Sequence, residues 1–500
     1  MVDTLDEMTL VAAGADGPSF PPPNKIKIGG VDPLGLRQIN FDLMDTVLFG
    51  INNVARHIRP FVVVAWAWRR AAILAESGGQ HTIRVETLRD FVDRIEVVYA
   101  WSQFLRKPDA DLPGRDVLAG IMNSSQYEFG GKDWDRRKKV RRYSTALSSP
   151  INYGPALKSL RWIEPNPKDG EIFVPCDGAR PAIDAFEALI VDRLEHPVFS
   201  KLGRVIVTAA EVAKWANSWA LESPTKAEKQ YAWAMLAGSD APVSRRLGIQ
   251  LAVEAVRHVG RRDVEAVRKA MVGRPSNFLP TAALVPTSAA WRRTQIRQLF
   301  RLALEAGLYW LTNELRNGSQ QSAYLVKRFI DQCEMRSHDD NAGRWLATRI
   351  VDGKGPIELM SAIETALAES THLQLARAIA DAISFSISQA PPSSEIFENS
   401  DRLPLARAKE QAIAFSDGPI ADLVQHILET WILAQHVYWS VGRGLADARS
   451  GGKMLLRLRI VLEEGGWTLS PGVMANRPPN PTPDRLQTAL SLAAECGELQ

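Results

Sequence analysis

Nine lysine and arginine side chains crowd residues 131 to 162: Lys132, Arg136, Arg137, Lys138, Lys139, Arg141, Arg142, Lys158 and Arg161. Only Asp133 and Asp135 oppose them, which leaves +7 there, against +3 for the whole 500-residue chain. The remainder of the protein is therefore net acidic, and the cations are a local feature. Clustered Lys and Arg neutralise phosphates and release counterions, giving salt-sensitive and largely sequence-independent affinity for nucleic acid. Lys168 extends the set, and Tyr127, Trp134 and Tyr143 would add base stacking with a single-stranded partner. The competing reading is the solvated face of a helix. Arg292, Arg293, Arg297 and Arg301 form a second basic stripe within one half of a helix surface, and it reads as solvated.

Other reacting groups are sparse. No two of the eight histidines are four residues apart, so there is no zinc-binding HExxH helix. RSGGKM, residues 449–454, lacks the Ser or Thr of a phosphate loop, because Met454 follows the lysine. There is no GxSxG elbow and no GxGxxG after a strand. His338, Asp339 and Asp340 are the best metal-like cluster, as in HD-type phosphohydrolases, but further ligands are missing. Asp339 or Asp340 reads instead as the cap of a helix beginning near Gly343. Glu463-Glu464 reads as an exposed turn. Arg56, His57 and Arg59 read as a partly buried network at the start of a core helix, with an anion site as the alternative. No catalytic residue, metal site or cofactor is expected from these residues.

Elements must position the cations. Gly154-Pro155 can open a helix, with ALKSL behind it. Arg161 to Glu164 reads as a short strand. PNPKDG, residues 165–170, is a strong turn signal, and Glu171 to Val174 alternates as a returning strand. A helix over 182–194 would close a small core with Ala182, Ile183, Phe186, Leu189 and Ile190. This order of helix and β-hairpin is that of a winged helix, with Lys158 and Arg161 on or near the recognition helix and Lys168 on the wing.

The expected fold class is mainly α: a multidomain helical protein with a small winged-helix-like module. The expected boundaries are a disordered tail over 1–24, a helical region over 25–113 and the winged-helix-like module over 114–200. A helical domain over 201–389, a linker over 390–404 and a C-terminal helical region over 405–500 follow. In the N-terminal region a kink is expected at Pro60, and RVETLRDFVDRIEVVYAWSQFL is an amphipathic helix. Ser223-Pro224 reads as a cap with Gly238 as the stop, Gly260 separates two helices, and Pro275, Pro280 and Pro286 mark a linker. LRLRI followed by EEGGW admits a hairpin or a short helix. Three scattered cysteines fit a reducing cytoplasm, the acidic N-terminus argues against a signal peptide, and FVVVAWAW is too short to span a bilayer.

DPLGLRQINFDLMDTVLFGINNVARHIRPFVVVAWAW resembles a pattern in large, poorly characterised bacterial proteins: an LGL segment, a Leu-x-Gly-x-x-Asn-Val stretch, then an Arg-rich and aromatic helix. YGPALKSLRWIE is similar to their winged-helix part, and the likeness covers mostly residues 30 to 190. Some of these proteins lie in mobile or antiviral-defence gene neighbourhoods. The resemblance implies a nucleic-acid-linked role and brings no catalytic residue with it. The expectation is a cytoplasmic, non-catalytic component that binds nucleic acid, with DNA favoured, works with other protein subunits and does not enter a membrane. The alternatives are an adaptor without nucleic-acid contact, and a metal-dependent nuclease or phosphohydrolase in which His338, Asp339 and Asp340 would be tested first.

Overall fold

Helical periodicity dominates the sequence, and helices dominate the computed structural model. It describes residues 32–77, 84–140, 147–149, 152–260, 263–273, 277–333, 341–349, 353–369, 372–390, 402–449, 457–470 and 477–499. The fold is mainly α, and the strands of the described residues form three two-stranded sheets. Contacts divide the chain into two units. A basic-helix unit takes 44–271, 278–288 and 483–500, and a π-helix unit takes the described residues of 1–43, 272–277 and 289–482. The tail expected over 1–24 and most of the linker expected over 390–404 lie outside the described residues.

The elements leading to the hairpin are α1 (Arg37–Asp45), α2 (Arg59–Ser77), α3 (Val85–Arg106), α4 (Arg115–Met122), β1 (Gln126–Phe129), α5 (Lys132–Val140) and α6 (Gly154–Ser159). The hairpin itself is β2 (Ile163–Asn166) and β3 (Asp169–Pro175). Then come α7 (Arg180–Ala188), α8 (Pro197–Ser200), β4 (Val205–Thr208), α9 (Ala209–Trp215), α10 (Lys226–Ala237), α11 (Val243–Val259) and α12 (Val264–Met271).

Two helices form the heart of the basic-helix unit. Phe61 to Trp68 on α2 are all buried, as expected of a helix that is apolar on every side. Pro60 does not kink this helix. It occupies the first turn, where its missing N–H has no intrahelical acceptor to lose. Leu88, Phe91, Ile95, Val98 and Trp101 of α3 are buried as their spacing requires, and so are Arg94, Glu96, Ser102 and Gln103. From Arg94 to Phe104 the helix is thus enclosed all round, and loop backbone meets several of its polar groups. Arg94 donates to the carbonyls of Lys201 and Gly203, Glu96 accepts from the amides of Leu147 and Ser148, and Gln103 bonds Ala216 and Leu221.

The cap of α10 is Thr225, in a reciprocal box with Glu228, rather than Ser223-Pro224. A Thr with Glu three residues on satisfies two amides at once, which the Ser-Pro pair cannot do. Gly238 ends α10 as expected, and Gly260 ends α11 with φ +68°. The chain returns to this unit at its C-terminal end. Arg268 pairs with Asp484, Arg485 pairs with Asp45, and Glu495 accepts from the Ile58 amide and the His57 ring.

The remaining helices are α13 (Val285–Glu314), α14 (Ser322–Gln332), α15 (Ala342–Thr348), α16 (Pro356–Glu369), α17 (His372–Ser388), α18 (Leu405–Ala414), α19 (Ile420–His426), α20 (Gln435–Arg449) and α21 (Leu486–Cys496). Pro286 lies in the first turn of α13 rather than in a linker. A π-helical stretch, Ile427–Ala434, joins α19 to α20 and brings Ile432 against Gly307, where a Cβ would come within 2.5 Å. The EEGGW alternative resolves to a hairpin, β5 (Ile460–Glu463) with β6 (Gly466–Leu469), and Glu463 and Glu464 are exposed at its turn. The cap of α15 is Asn341, whose side chain accepts from the Arg344 amide. Asp339 and Asp340 lie outside the described residues, as does His338.

The second basic stripe is a solvated face only at its start, where Arg293 is exposed and Arg292 half-buried. Arg297 and Arg301 on α13 are fully buried. Arg297 donates to the carbonyls of Arg402 and Leu403, while Arg301 pairs with Glu305 at 2.6 Å and donates to Asn480. Spacing put these arginines on one side of a helix, but it did not say which side faces inward.

Candidate nucleic-acid interface

The helix expected to carry the cations forms, and its first turns are built on an aromatic cluster. Tyr127 and Phe129 of β1 and Trp134 of α5 meet edge to face, with ring centroids 5.1 to 6.3 Å apart. The β1 strand pairs antiparallel with β4, from Gln126 opposite Thr208 to Phe129 opposite Val205. Trp134 anchors α5 to α3 by donating to Asp90 at 2.6 Å. These contacts fix which face of α5 looks outward.

That face carries Lys132 and Arg136, both exposed. Arg136 reaches Asp133 at 2.5 Å but keeps 75% of its side chain exposed. Arg137 and Lys138 are more deeply engaged. Arg137 binds Asp133 at 2.9 Å and lies over the Tyr127 ring, 5.9 Å from its centroid. Lys138 pairs with Asp90 and Asp135 and lies over Trp134. The hydrogen bonds from Arg137, then Arg136 and Tyr127, hold the Asp133 carboxyl down at about 2, so it stays charged across the physiological range. Burial and the bond to Asp133 push the Tyr127 phenol well up. Two of the expected phosphate contacts are thus largely neutralised within the fold. Lys139 belongs to α5, while Arg141 and Arg142 lie outside the described residues.

The hairpin forms in the expected order after α6. Ile163 pairs with Pro175 and Asn166 with Asp169, with an irregularity between Pro165 and Asn166. The turn is Pro167-Lys168, which puts Asp169-Gly170 on β3 and not at the turn centre. The Asn166 side chain closes the turn by accepting from the Lys168 amide at 2.8 Å. Lys168 is exposed at the tip, and Lys158 sits on the last turn of α6 with its ammonium 4.5 Å from the centroid of Phe173. Arg161 is not part of β2. It takes a left-handed conformation, φ 52°, in the link after α6, and its carbonyl accepts from the Tyr231 hydroxyl.

The hairpin is tied to the core rather than left projecting. Phe173 packs edge-on to Trp68 of α2 at 5.6 Å, and Arg89 of α3 binds the Glu171 carbonyl at 3.2 Å. Lys158, Arg161 and Lys168 are matched by Glu164, Asp169 and Glu171, so residues 154–175 carry no net charge. Closure by the following helix is shorter than expected: α7 ends at Ala188, and Ala182, Ile183, Phe186 and Ile190 are buried while Leu189 is exposed. Arg89 and Asp90 were not legible as partners of the hairpin and of α5, because nothing in ETLRDFVDR marks which neighbours its polar residues meet.

The remaining candidates are structural. Arg56 pairs with Asp111 at 3.2 Å, His57 with Glu495, and buried Arg59 with buried Glu228. They fix the first turn of α2, as the network reading expected. Among the described residues no group of three or more His, Cys, Asp or Glu side chains could hold a metal ion. The three cysteines are free, and burial pushes the Cys176 thiol up to about 11 and those of Cys333 and Cys496 up to about 12. Protonated thiols at neutral pH are poor nucleophiles. No helix of the described residues is long and apolar enough to cross a membrane.

No protein-family model matches the chain, no curated protein matches it in sequence, and no solved structure matches it.

Proposed function

We propose that the protein is a non-catalytic, cytoplasmic component of a bacterial multi-protein system, of the antiviral-defence kind, that contacts nucleic acid through the phosphates. The observation that carries this reading is the outward face of α5. Lys132 and Arg136 are exposed there. The sequence continues into Lys139, Arg141 and Arg142, while the chain as a whole has little net charge. Such a patch is a phosphate-binding surface whose strength falls with salt. DNA is the partner to test first. The experiment is a duplex-DNA binding titration of the full chain across a salt series, starting at low ionic strength. Affinity that falls linearly with the logarithm of salt concentration is expected, and no binding at the lowest salt would refute the proposal.

A second reading, an adaptor that binds other subunits, is favoured by the hairpin. Its zero net charge and its packing through Phe173 on Trp68 suit a structural role better than a wing on a phosphate backbone. The same titration separates the two readings, since an adaptor gives no signal with DNA.

A further inference from the structure

A buried arginine holds a second pair of outward cations beside the first turn of α5. We infer that the loop ahead of β4 is a further phosphate-contact site, made by Lys201 and Arg204 and continuous with Lys132 and Arg136. This inference rests on the reading just given and adds to it residues that are distant in sequence.

The loop is set from beneath. Arg94 of α3 is 1% exposed. Its guanidinium donates to the Gly203 carbonyl at 2.9 Å and to the Lys201 carbonyl. A buried donor needs its acceptors, so these two carbonyls are drawn inward. Gly203 then turns the chain with φ +80°, a conformation that glycine adopts without strain. The side chains of Lys201 and Arg204 are left exposed, that of Arg204 by 70%.

The β1–β4 pair brings this loop to α5. Phe129 lies opposite Val205, so Gly130 and Arg204 meet next along the ladder. A Cβ on Gly130 would come within 3.0 Å of the Arg204 backbone. Arg204 pairs with Glu128 at 2.5 Å, and that carboxylate lies against Gly131, the residue before Lys132. The Arg204 guanidinium therefore stands at the start of α5, where Lys132 is exposed and Arg136 follows one turn on. An exposed ion pair is weak and screened by salt, so a phosphate can take the place of Glu128. A guanidinium presents two parallel N–H groups that match two phosphate oxygens. Lys201, on the same pinned loop, adds a second charge.

The test uses the full chain and a fluorescent DNA duplex, read by anisotropy across a salt series. Lys201→Glu/Arg204→Glu should weaken binding about tenfold or more and lower the salt slope by about 2. Lys158→Glu/Lys168→Glu on the hairpin makes the same change in charge and should stay near wild type. Glu128→Gln removes the carboxylate that competes for Arg204 and should tighten binding about two- to fivefold, a gain that a misfolded variant cannot give. That gain should shrink in an Arg204→Gln background. If wild type binds but Lys201→Glu/Arg204→Glu loses no more affinity than the hairpin variant, the inference is overturned while nucleic-acid binding stands. Unchanged or weaker binding by Glu128→Gln, or an equal gain with Arg204→Gln, overturns the role of Arg204. If wild type fails to bind at the lowest salt, the phosphate reading itself is wrong, and the further site falls with it.

Discussion

Glu228→Gln is expected to destabilise the basic-helix unit by about 3–5 kcal/mol, the range for removing one partner of a buried ion pair. Arg59 and Glu228 are both 0% exposed, and their charged groups stand 3.2 Å apart. At an effective dielectric of about 20 that separation is worth roughly 5 kcal/mol of attraction, which offsets the desolvation of two ions. Arg59 also donates to the Ser223 carbonyl and lies 5.4 Å from the centroid of the Phe186 ring. Glutamine keeps the volume of Glu228 and the oxygen that accepts from the Thr225 amide, so the cap of α10 survives, while its NH2 replaces the charged oxygen that faces Arg59. Arg59 is then left buried without a counter-ion.

The double variant Arg59→Met/Glu228→Gln removes both charges and should recover most of the loss. Arg59→Met alone leaves Glu228 as the stranded charge. Burial already pushes that carboxyl up, with Arg59 and then the Thr225 cap opposing the rise. Losing Arg59 raises it further. An acid raised in the folded state contributes stability below its unfolded pKa and loses it as pH rises through the folded value. The gap between wild type and Arg59→Met should therefore open only above the raised wild-type value, which lies above 4.5, and widen as pH rises towards the still higher value of the variant. Urea unfolding, paired with hydrogen exchange of the α2 and α10 amides so that one unit is followed, measures both effects. A Glu228→Gln loss below about 1 kcal/mol, the scale of a solvated surface pair, would refute the reasoning.

Further outcomes follow from other buried contacts. Burial pushes the His436 imidazole down to about 4, and its neutral ring bonds the Pro33 carbonyl through Nδ1 and the Arg459 amide through Nε2. Its contribution is present above the unfolded value near 6.5 and is lost as pH falls towards 4, about 3 kcal/mol in all; His436→Gln should flatten unfolding free energy over that window. Gly248→Ala should destabilise despite the helix-propensity gain of about 1 kcal/mol, because the new Cβ would sit 2.0 Å from the Val47 carbonyl oxygen; thermal denaturation reads the sign. Thr208→Ala breaks the capping box of α9 and should cost about 1 kcal/mol, measurable by urea unfolding.

Local signals in the sequence carried the secondary structure well. PNPKDG makes a hairpin because two prolines and an Asx side chain bias the backbone whatever surrounds it, although the pair at the turn is Pro167-Lys168 and not Asp169-Gly170. Gly238 and Gly260 end their helices for equally local reasons. What depends on tertiary neighbours was not legible. Arg297 and Arg301 are buried because loop carbonyls from Arg402, Leu403 and Asn480 come to meet them, and those lie about a hundred residues or more away. Trp134 and Tyr127 read as stacking rings but pack on each other, since β1 folds back onto β4 and closes a small core around them. The same limit governs the candidate interface. The charge excess was countable, but the carboxylate that takes Lys138, Asp90, belongs to another helix.

Phosphate contact is proposed for α5 and not for the charge-balanced hairpin, and one comparison tests this directly. Duplex binding of the full chain should be measured at fixed low salt for Lys132→Glu/Arg136→Glu and for Lys158→Glu/Lys168→Glu, with circular dichroism confirming that both variants fold. Reversing two exposed phosphate contacts should weaken binding about tenfold or more and lower the salt slope by about 2, while the hairpin variant stays near wild type. A hairpin variant that loses more affinity than the α5 variant would contradict the account.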